Sequence, residues 1–393
     1  MPARAWLILW LIGCVAAAPT PRPGVGHSRL KAYDGRYYRI HTDLTGDDLR
    51  EAELRMTRMA EEYHERTRDF SGAVNSKFPF FLYRNPADYY RAGGQRDSAG
   101  FFDRRTNTLV AIAGKQTSDY TWSVVQHEGF HQFAANVIGG ELPIWVNEGL
   151  AEYFGDGVFT GDGFVTGVIP PERLKRVKQQ LAAKSFWPIK EMMLLAHRDW
   201  NDQLTLANYD QAWSMVQFLA HAENGRYAGA FVAFMRAIGG GDAGGQPWPQ
   251  AWLANFGSAE GFEQRWRDYW MKLPDDATSE LYARATVETL TSVLARATLA
   301  KQKFADFDAF AIAAANKSIP FDDRTWLPPK LTAGALEQAG KMREKGAVFA
   351  LIPAVGGKPA AISCTLRDGK KLVGRFVLKE GAVEEVKVEM PRR

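Results

Sequence analysis

Cysteine is almost absent from the chain, which has two in 393 residues, Cys14 and Cys364. At most one disulfide could form, and none if Cys14 is removed or lipidated, so the fold must depend on its hydrophobic core. A large excess of one charge is also missing, because 49 basic and 45 acidic residues leave a net charge of +4. No Lys/Arg-rich block is present, so the sequence predicts no nucleic-acid partner.

Long apolar runs are scarce as well. The apolar run at 6–13 is too short to span a bilayer. With the small residues that follow it, residues 1–18 predict a secretory signal peptide, and the proline-rich residues 19–30 predict a tether. The LIGC sequence that ends at Cys14 is similar to a bacterial lipobox, and cleavage near Ala16–Ala18 is the alternative. We therefore expect export to the periplasm, the cell surface or the medium, and association with a membrane if Cys14 is lipidated.

Apolar residues make up 46% of the chain, which also has 12 Trp and 23 Phe, and this composition is typical of a globular protein. Strand-like alternation at 37–44, 78–84 and 100–114 surrounds an amphipathic helical pattern at 45–68. Helical patterns then dominate from 118 onward. The sequence therefore predicts an α+β fold.

The character of the chain changes toward its end. Residues 276–340 predict a helical extension, since their clearest stretch has helical periodicity. Short strands separated by Asp-Gly and Glu-Gly turns follow at 345–393. We therefore expect one main domain at 31–275, then the extension, then a small β-rich unit.

Histidine is rare too, with seven in the chain, yet two of them lie four residues apart in QHEGFHQF (126–133). On a helix, His127 and His131 project from one face and could hold one Zn²⁺. Glu128 lies on the flank of that face, where it could act as a general base without being a ligand. Chance produces this pattern in roughly one such chain in a hundred, so a third ligand is needed to support it.

A second helical stretch, WVNEGLAEYF (145–154), supplies two candidates for that ligand. Glu148 and Glu152 lie four residues apart, and sixteen residues separate His131 from Glu148. A Gly-Gly turn between the two helices would bring the glutamate face against the histidine face. The spacing therefore predicts a zinc site with a third ligand from the second helix.

HEGFHQF followed by WVNEGLAEY resembles the gluzincin metallopeptidases, which include the thermolysin-like and aminopeptidase N-like enzymes. The resemblance implies a small N-terminal mixed sheet above a mainly helical lower part. It also implies Glu148 as the third zinc ligand. Glu152 would orient a zinc-bound histidine through its other ring nitrogen, and the alternative is a solvated or capping carboxylate.

The layout from 37 to 272 is also similar to a bacterial peptidase MA-like domain family of poorly defined function. Its later Tyr-x-x-Ala-Trp helix corresponds to YDQAWSMVQFLA, which begins at Tyr209. The resemblance to gluzincins implies a Tyr or His from a later segment as a donor to the oxyanion of the tetrahedral intermediate, and Tyr209 is the candidate by its order along the chain. A packing role is the alternative for Tyr209, and His197 and His221 are other candidates for the donor.

The predicted function is that of an exported zinc metallopeptidase that hydrolyses amide bonds of a peptide or protein substrate, with Glu128 as the base. A different class is also open: a non-catalytic envelope protein with a zinc-binding or interaction role. A third possibility is an amidase that acts on a cell-wall peptide.

Overall fold

The computed structural model of the protein describes residues 30–113, 117–139, 141–202, 205–239 and 247–390. The predicted signal peptide, Cys14 and residues 19–29 of the predicted tether lie outside these ranges. Among the described residues, no helix combines the length and the apolar character needed to cross a membrane.

The fold is α+β, as predicted, with an N-terminal mixed sheet, a helical middle and a small antiparallel sheet near the C-terminus. By its contacts the chain forms two compact units. The N-terminal unit contains residues up to 49, 60–157 and 169–277, and the C-terminal unit contains 50–59, 158–168 and the residues from 278 onward. The predicted helical extension and β-rich segment thus belong to one compact unit.

The N-terminal unit begins with a five-stranded mixed sheet. Its strands are β1 (Lys31–Asp34), β2 (Tyr38–Thr42), β3 (Phe78–Tyr83), β4 (Gly100–Asp103) and β5 (Thr108–Ile112). Their order is β1-β2-β3-β5-β4, with parallel pairing of β3 to β2 and to β5. Strand β4 pairs antiparallel with β5 and forms one edge of the sheet.

Eleven helices occur in the described ranges between β2 and residue 277, and residues 50–59 of the first of them belong to the C-terminal unit. They are α1 (Asp47–Thr67), α2 (Pro86–Arg91), α3 (Asp119–Phe133), α4 (Ile144–Gly155), α5 (Pro171–Ala183), α6 (Ile189–Leu194), α7 (His197–Asp202), α8 (Leu206–Gly225), α9 (Ala228–Gly239), α10 (Trp248–Phe256) and α11 (Ala259–Lys272). The sequence predicts helices at 171–184, 188–196, 208–223, 227–238 and 259–272, which correspond to α5, α6, α8, α9 and α11. It predicts neither α7 nor α10, because these short helices carry little periodic signal.

Helix α3, which carries QHEGFHQF, begins with a capping box: the Ser118 hydroxyl accepts a hydrogen bond from the backbone N–H of Thr121, and the Thr121 hydroxyl accepts one from the backbone N–H of Ser118. A π-helical turn at Ala134–Ile138 ends the helix, and Gly139 follows with a positive φ of 71°. Helix α4 then begins directly after Pro143. The predicted helix and return helix are therefore present, and the described Gly139 of the predicted Gly-Gly turn lies between them.

The C-terminal unit is built on a four-stranded antiparallel sheet in the order β11-β10-β9-β8. Its elements are the hairpin β6 (Val158–Phe159) and β7 (Phe164–Val165), the helices α12 (Ser279–Leu299), α13 (Phe307–Ala315) and α14 (Pro329–Glu344), and the strands β8 (Val348–Ile352), β9 (Ala361–Thr365), β10 (Lys371–Lys379) and β11 (Ala382–Glu389). Helix α12 packs on the sheet and is buried over most of its length. Cys364 is buried in β9; its apolar and strand-like sequence context predicts a buried strand residue.

Candidate metal centre

Two glutamines of QHEGFHQF fix helix α3 against its neighbours. The side-chain amide of Gln126 donates to backbone carbonyls at the end of α4, including that of Phe154 at 3.1 Å. The amide of Gln132 donates to the carbonyls of Pro79 at 3.0 Å and Asn107 at 2.9 Å, which belong to the region of the sheet. The histidines between these glutamines are thereby held between the sheet and α4.

Three side chains from α3 and α4 converge at one point. Ligand atoms of His127, His131 and Glu148 all lie within 4.8 Å of one another. The Nε2 atoms of the two histidines are 3.0 Å apart, and each is 3.5 Å from Oε2 of Glu148. A tetrahedral zinc with bonds of about 2.0–2.1 Å needs donor atoms roughly 3.3 Å apart. The observed spacing therefore fits a tetrahedral metal ion.

The charges at this point also favour a cation. Burial disfavours the charged imidazolium of His127, but Glu148 and Glu152 outweigh that effect and hold its pKa well above the usual range. The pKa of His131 is raised in the same way by Glu148 against the effect of burial. Oε2 of Glu148 is buried and has no hydrogen-bond donor in the described structure. Positive charge between the imidazoles would satisfy it.

Glu128 is a buried carboxylate beside this group, with 7% of its surface exposed. Burial raises its pKa, and the charges of His127 and His131 oppose that rise. Its Oε2 accepts a hydrogen bond of 2.9 Å from the backbone N–H of Phe102 in β4. Glu128 is therefore tied to the edge strand and is not one of the three converging ligands.

Glu152 lies one turn after Glu148 and contacts the opposite nitrogen of the first histidine. Its Oε1 is 3.2 Å from Nδ1 of His127, without the alignment of a full hydrogen bond. Its Oε2 accepts from the guanidinium of Arg173. The residue is 3% exposed, so it is not a solvated carboxylate.

Tyr209 is almost fully buried at 1% exposure, with its ring centroid 6.4 Å from that of His127. Its hydroxyl accepts a hydrogen bond of 3.4 Å from the indole N–H of Trp200. His221, the alternative, has its Nε2 2.9 Å from the hydroxyl of Tyr153 and does not join the ligand group. The side chain of His197 lies outside the described part of the structure.

Arg173 and Asp210 are absent from the predicted site residues. Arg173 lies in the buried stripe of α5 with Val177 and Leu181, at spacings of four residues. The sequence signal that could have identified Arg173 is a charged residue within the apolar stripe of a helix, since a buried charge needs a buried partner of opposite charge. Asp210 follows Tyr209 on a helix that is buried around most of its circumference, where periodicity gives no signal.

Residues 121–238 match a protein family described as a protein of unknown function, DUF1570. The matched segment covers less than a third of the chain, and it contains every predicted site residue from His127 to Tyr209. No curated protein matches the chain. In this segment the chain is therefore similar to an uncharacterised family.

Proposed function

We propose that this protein is a zinc-dependent metallopeptidase. The observation that carries the proposal is the convergence of two imidazole nitrogens and one carboxylate oxygen within 4.8 Å, with the separate buried carboxylate of Glu128 beside them. Two histidines and a glutamate, with one position left for water, form a donor set used by catalytic zinc. A purely structural site has no need of Glu128.

His127, His131 and Glu148 would hold the zinc ion. When bound there, zinc supplies Lewis-acid polarisation of a carbonyl and lowers the pKa of a water molecule. The unpartnered Oε2 of Glu148 supports this assignment, because a buried carboxylate oxygen needs a donor or a cation. The resemblance to gluzincins supports the same three ligands.

Glu128 would act as the general base. Burial raises its pKa, which brings its affinity for a proton closer to that needed at neutral pH. Its carboxylate would accept a proton from the attacking water and pass it to the leaving amine. The hydrogen bond from Phe102 fixes the orientation of the carboxylate during this transfer.

Strand β4 would hold the substrate. It is an edge of the sheet, and an extended peptide can add to such an edge as a further strand. The hydrogen bond between Phe102 and Glu128 would connect the edge with the base. Tyr209 would donate to the oxyanion if its hydroxyl, which now accepts from Trp200, turns toward the substrate.

The test compares wild-type protein with Glu128→Gln. Each protein is loaded with zinc and incubated with a peptide library that includes cell-wall peptides, and the cleavage products are measured by mass spectrometry. We expect one zinc per chain in both, and a loss of cleavage of at least ~10²-fold in the variant. Glu172→Gln, an exposed carboxylate on α5, is the control and should retain activity.

Full cleavage by Glu128→Gln with zinc bound would exclude the proposed mechanism. Zinc binding without cleavage of any peptide by the wild type would favour a non-catalytic binding protein. Cleavage confined to cell-wall peptides would identify an amidase of that class. Export, and lipidation at Cys14, belong to the same proposal and are checked by mass spectrometry of the mature N-terminus.

A further inference from the structure

We propose that Arg173 is a positioning residue for the metal centre, acting through Glu152 on His127. This inference rests on the proposed zinc site, and it concerns a residue that neither the motif nor the resemblance includes. In the described part of the structure, the hydrogen bonds and ion pairs of Arg173 do not include any of the three proposed ligands. Its effect on the metal would therefore have to pass through the carboxylate that it holds.

The Arg173 side chain is 5% exposed and contacts three acids, of which Glu152 and Asp210 are buried and Asp156 is partly buried. One Nη atom donates to Oε2 of Glu152, and the other donates to Oδ2 of Asp156 at 2.8 Å. Its Nε is 3.1 Å from Oδ1 of Asp210. Glu152 lies in α4, Asp156 directly follows that helix, and Asp210 lies in α8, so one guanidinium from α5 connects three helices.

The guanidinium also lies over the ring of Trp213, with its central carbon 5.1 Å from the ring centroid. Stacking on an aromatic face restricts the orientation of the guanidinium plane, and with it the directions of its N–H groups. The fork of Arg173 is therefore fixed by packing as well as by its three acids. A lysine at this position has the charge but cannot direct fixed donors to three carboxylates.

Glu152 transmits this constraint because its two oxygens face different partners. Oε2 accepts from Arg173, and Oε1 lies 3.2 Å from Nδ1 of His127. A histidine that binds a metal through Nε2 carries its proton on Nδ1, and an acceptor there sets the orientation of the ring. Arg173 therefore fixes the carboxylate that would fix the ring of the first ligand.

Arg176 provides a matched comparison on the same helix. Its guanidinium binds Asp210 through two hydrogen bonds of 2.6 and 2.9 Å. The contacts found for Arg176 do not include Glu152, and its side chain is 34% exposed. Arg173→Lys and Arg176→Lys thus make the same chemical change beside the same aspartate, Asp210. Only Arg173→Lys removes the guanidinium that holds Glu152.

The experiment measures the zinc dissociation constant of the full chain by competition with a chromophoric chelator. Arg173→Lys should weaken zinc binding by ~10-fold or more, while Arg176→Lys should stay within ~3-fold of wild type. The d–d absorption of the cobalt(II)-loaded protein should change in Arg173→Lys and not in Arg176→Lys, since it reports the arrangement of the ligands.

A double-variant cycle separates positioning from general stabilisation. If Arg173 acts through Glu152, then Arg173→Lys should have little further effect on zinc affinity in the Glu152→Gln background. If Arg173→Lys does not fold, the double variant Arg173→Met/Glu152→Gln replaces it. In that variant both members of the Arg173–Glu152 ion pair are neutral, so neither leaves the other as an unpaired buried charge. That double variant should bind zinc as Glu152→Gln alone does.

Wild-type zinc affinity in Arg173→Lys, or fully additive effects of the two changes, would overturn the positioning role and leave the proposed function standing. A wild-type protein that binds no zinc, or binds it equally well after His127→Ala, would overturn both. The two failures are distinguishable because the first requires a working zinc site.

Discussion

Glu148 and Glu152 stand one helical turn apart on α4, yet their carboxylates contact different nitrogens of one histidine. Oε2 of Glu148 lies 3.5 Å from Nε2 of His127, whereas Oε1 of Glu152 lies 3.2 Å from Nδ1 of that ring. Residues four apart on a helix share a face, so the sequence alone predicted that both could reach the histidines. The orientation of the His127 ring therefore separates the two roles: Glu148 lies beside Nε2, where a metal would bind, and Glu152 lies beside Nδ1 on the other side of the ring.

Glu148→Gln tests the carboxylate at the ligand point. An amide is neutral and a weaker ligand for zinc, so we expect zinc affinity to fall by more than ~100-fold. Chelator competition and metal content after dialysis measure the change. Glu172→Gln should keep one zinc per chain, and a Glu148→Gln protein that also kept it would contradict the assignment of Glu148 as a ligand.

At the scale of elements, the site depends on how closely α4 packs against α8. A Cβ added at Gly149 would lie 2.5 Å from the carbonyl oxygen of Ala212 and 2.6 Å from a methyl group of Val216. These distances are too short for a side chain, so only glycine permits this approach. Gly149 follows Glu148 directly, and the close packing therefore also fixes the ligand on α4.

Gly149→Ala should lower the free energy of unfolding by about 1–3 kcal/mol, because the added methyl group forces α4 and α8 apart. Urea unfolding followed by circular dichroism measures the loss. The matched control is Gly334→Ala on α14, where an added Cβ meets nothing within 4 Å. That control should be neutral or stabilising by up to about 1 kcal/mol. Equal stability of Gly149→Ala and wild type would contradict the close approach.

At the scale of the whole molecule, the C-terminal unit is assembled from three separate parts of the chain. Asp162, in the hairpin of β6 and β7, pairs with Arg296 of α12 through contacts of 2.8 and 3.0 Å. Ser292 donates to the same carboxylate at 2.6 Å. The hairpin directly follows α4 in the chain and is held in this unit by a buried ion pair.

Asp162→Asn tests that ion pair through its pH dependence. Burial opposes the ionised carboxylate, but Arg296 outweighs burial and lowers the pKa of Asp162 below its ordinary value of 3.8. Since the folded state favours the anion, its stabilisation is complete above the unfolded pKa and is lost as the pH falls through the folded pKa. We expect a loss of about 3 kcal/mol at neutral pH that shrinks below pH ~3.8.

Urea unfolding of wild type and Asp162→Asn, from neutral pH to below pH ~3.8, measures the difference in their free energy of unfolding. The exposed pair of Asp308 and Arg343, at 2.6 Å, supplies the control. Asp308→Asn should change stability by less than about 1 kcal/mol, since solvent screens an exposed pair. A loss for Asp162→Asn that stayed constant down to acid pH would contradict the role of the ionised carboxylate.

The sequence by itself determined the elements that have strong local signals. The helices that carry QHEGFHQF and WVNEGLAEYF, and the α+β class, were predicted because periodicity, capping residues and Gly turns act within a few residues. The short hairpin β6–β7 was not predicted, whereas helix α14 lies largely within the predicted helical extension at 276–340, although no separate helix was predicted there. The hairpin lies in a Gly-rich segment, and α14 begins at Pro329, the second proline of the Pro-Pro step that indicated a boundary.

Only the tertiary structure decided which distant side chains meet. Nothing in the order of residues places Arg173 against Glu152, or Asp162 against Arg296, because these contacts arise when separate helices and hairpins pack. The convergence of His127, His131 and Glu148 depends on both local and tertiary structure. The spacing of four residues places the two histidines on one face of α3, and the packing of α4 against α3 brings Glu148 to them. The physical reason is that hydrogen bonding and side-chain period act locally, whereas burial of charge is settled only by the packed core.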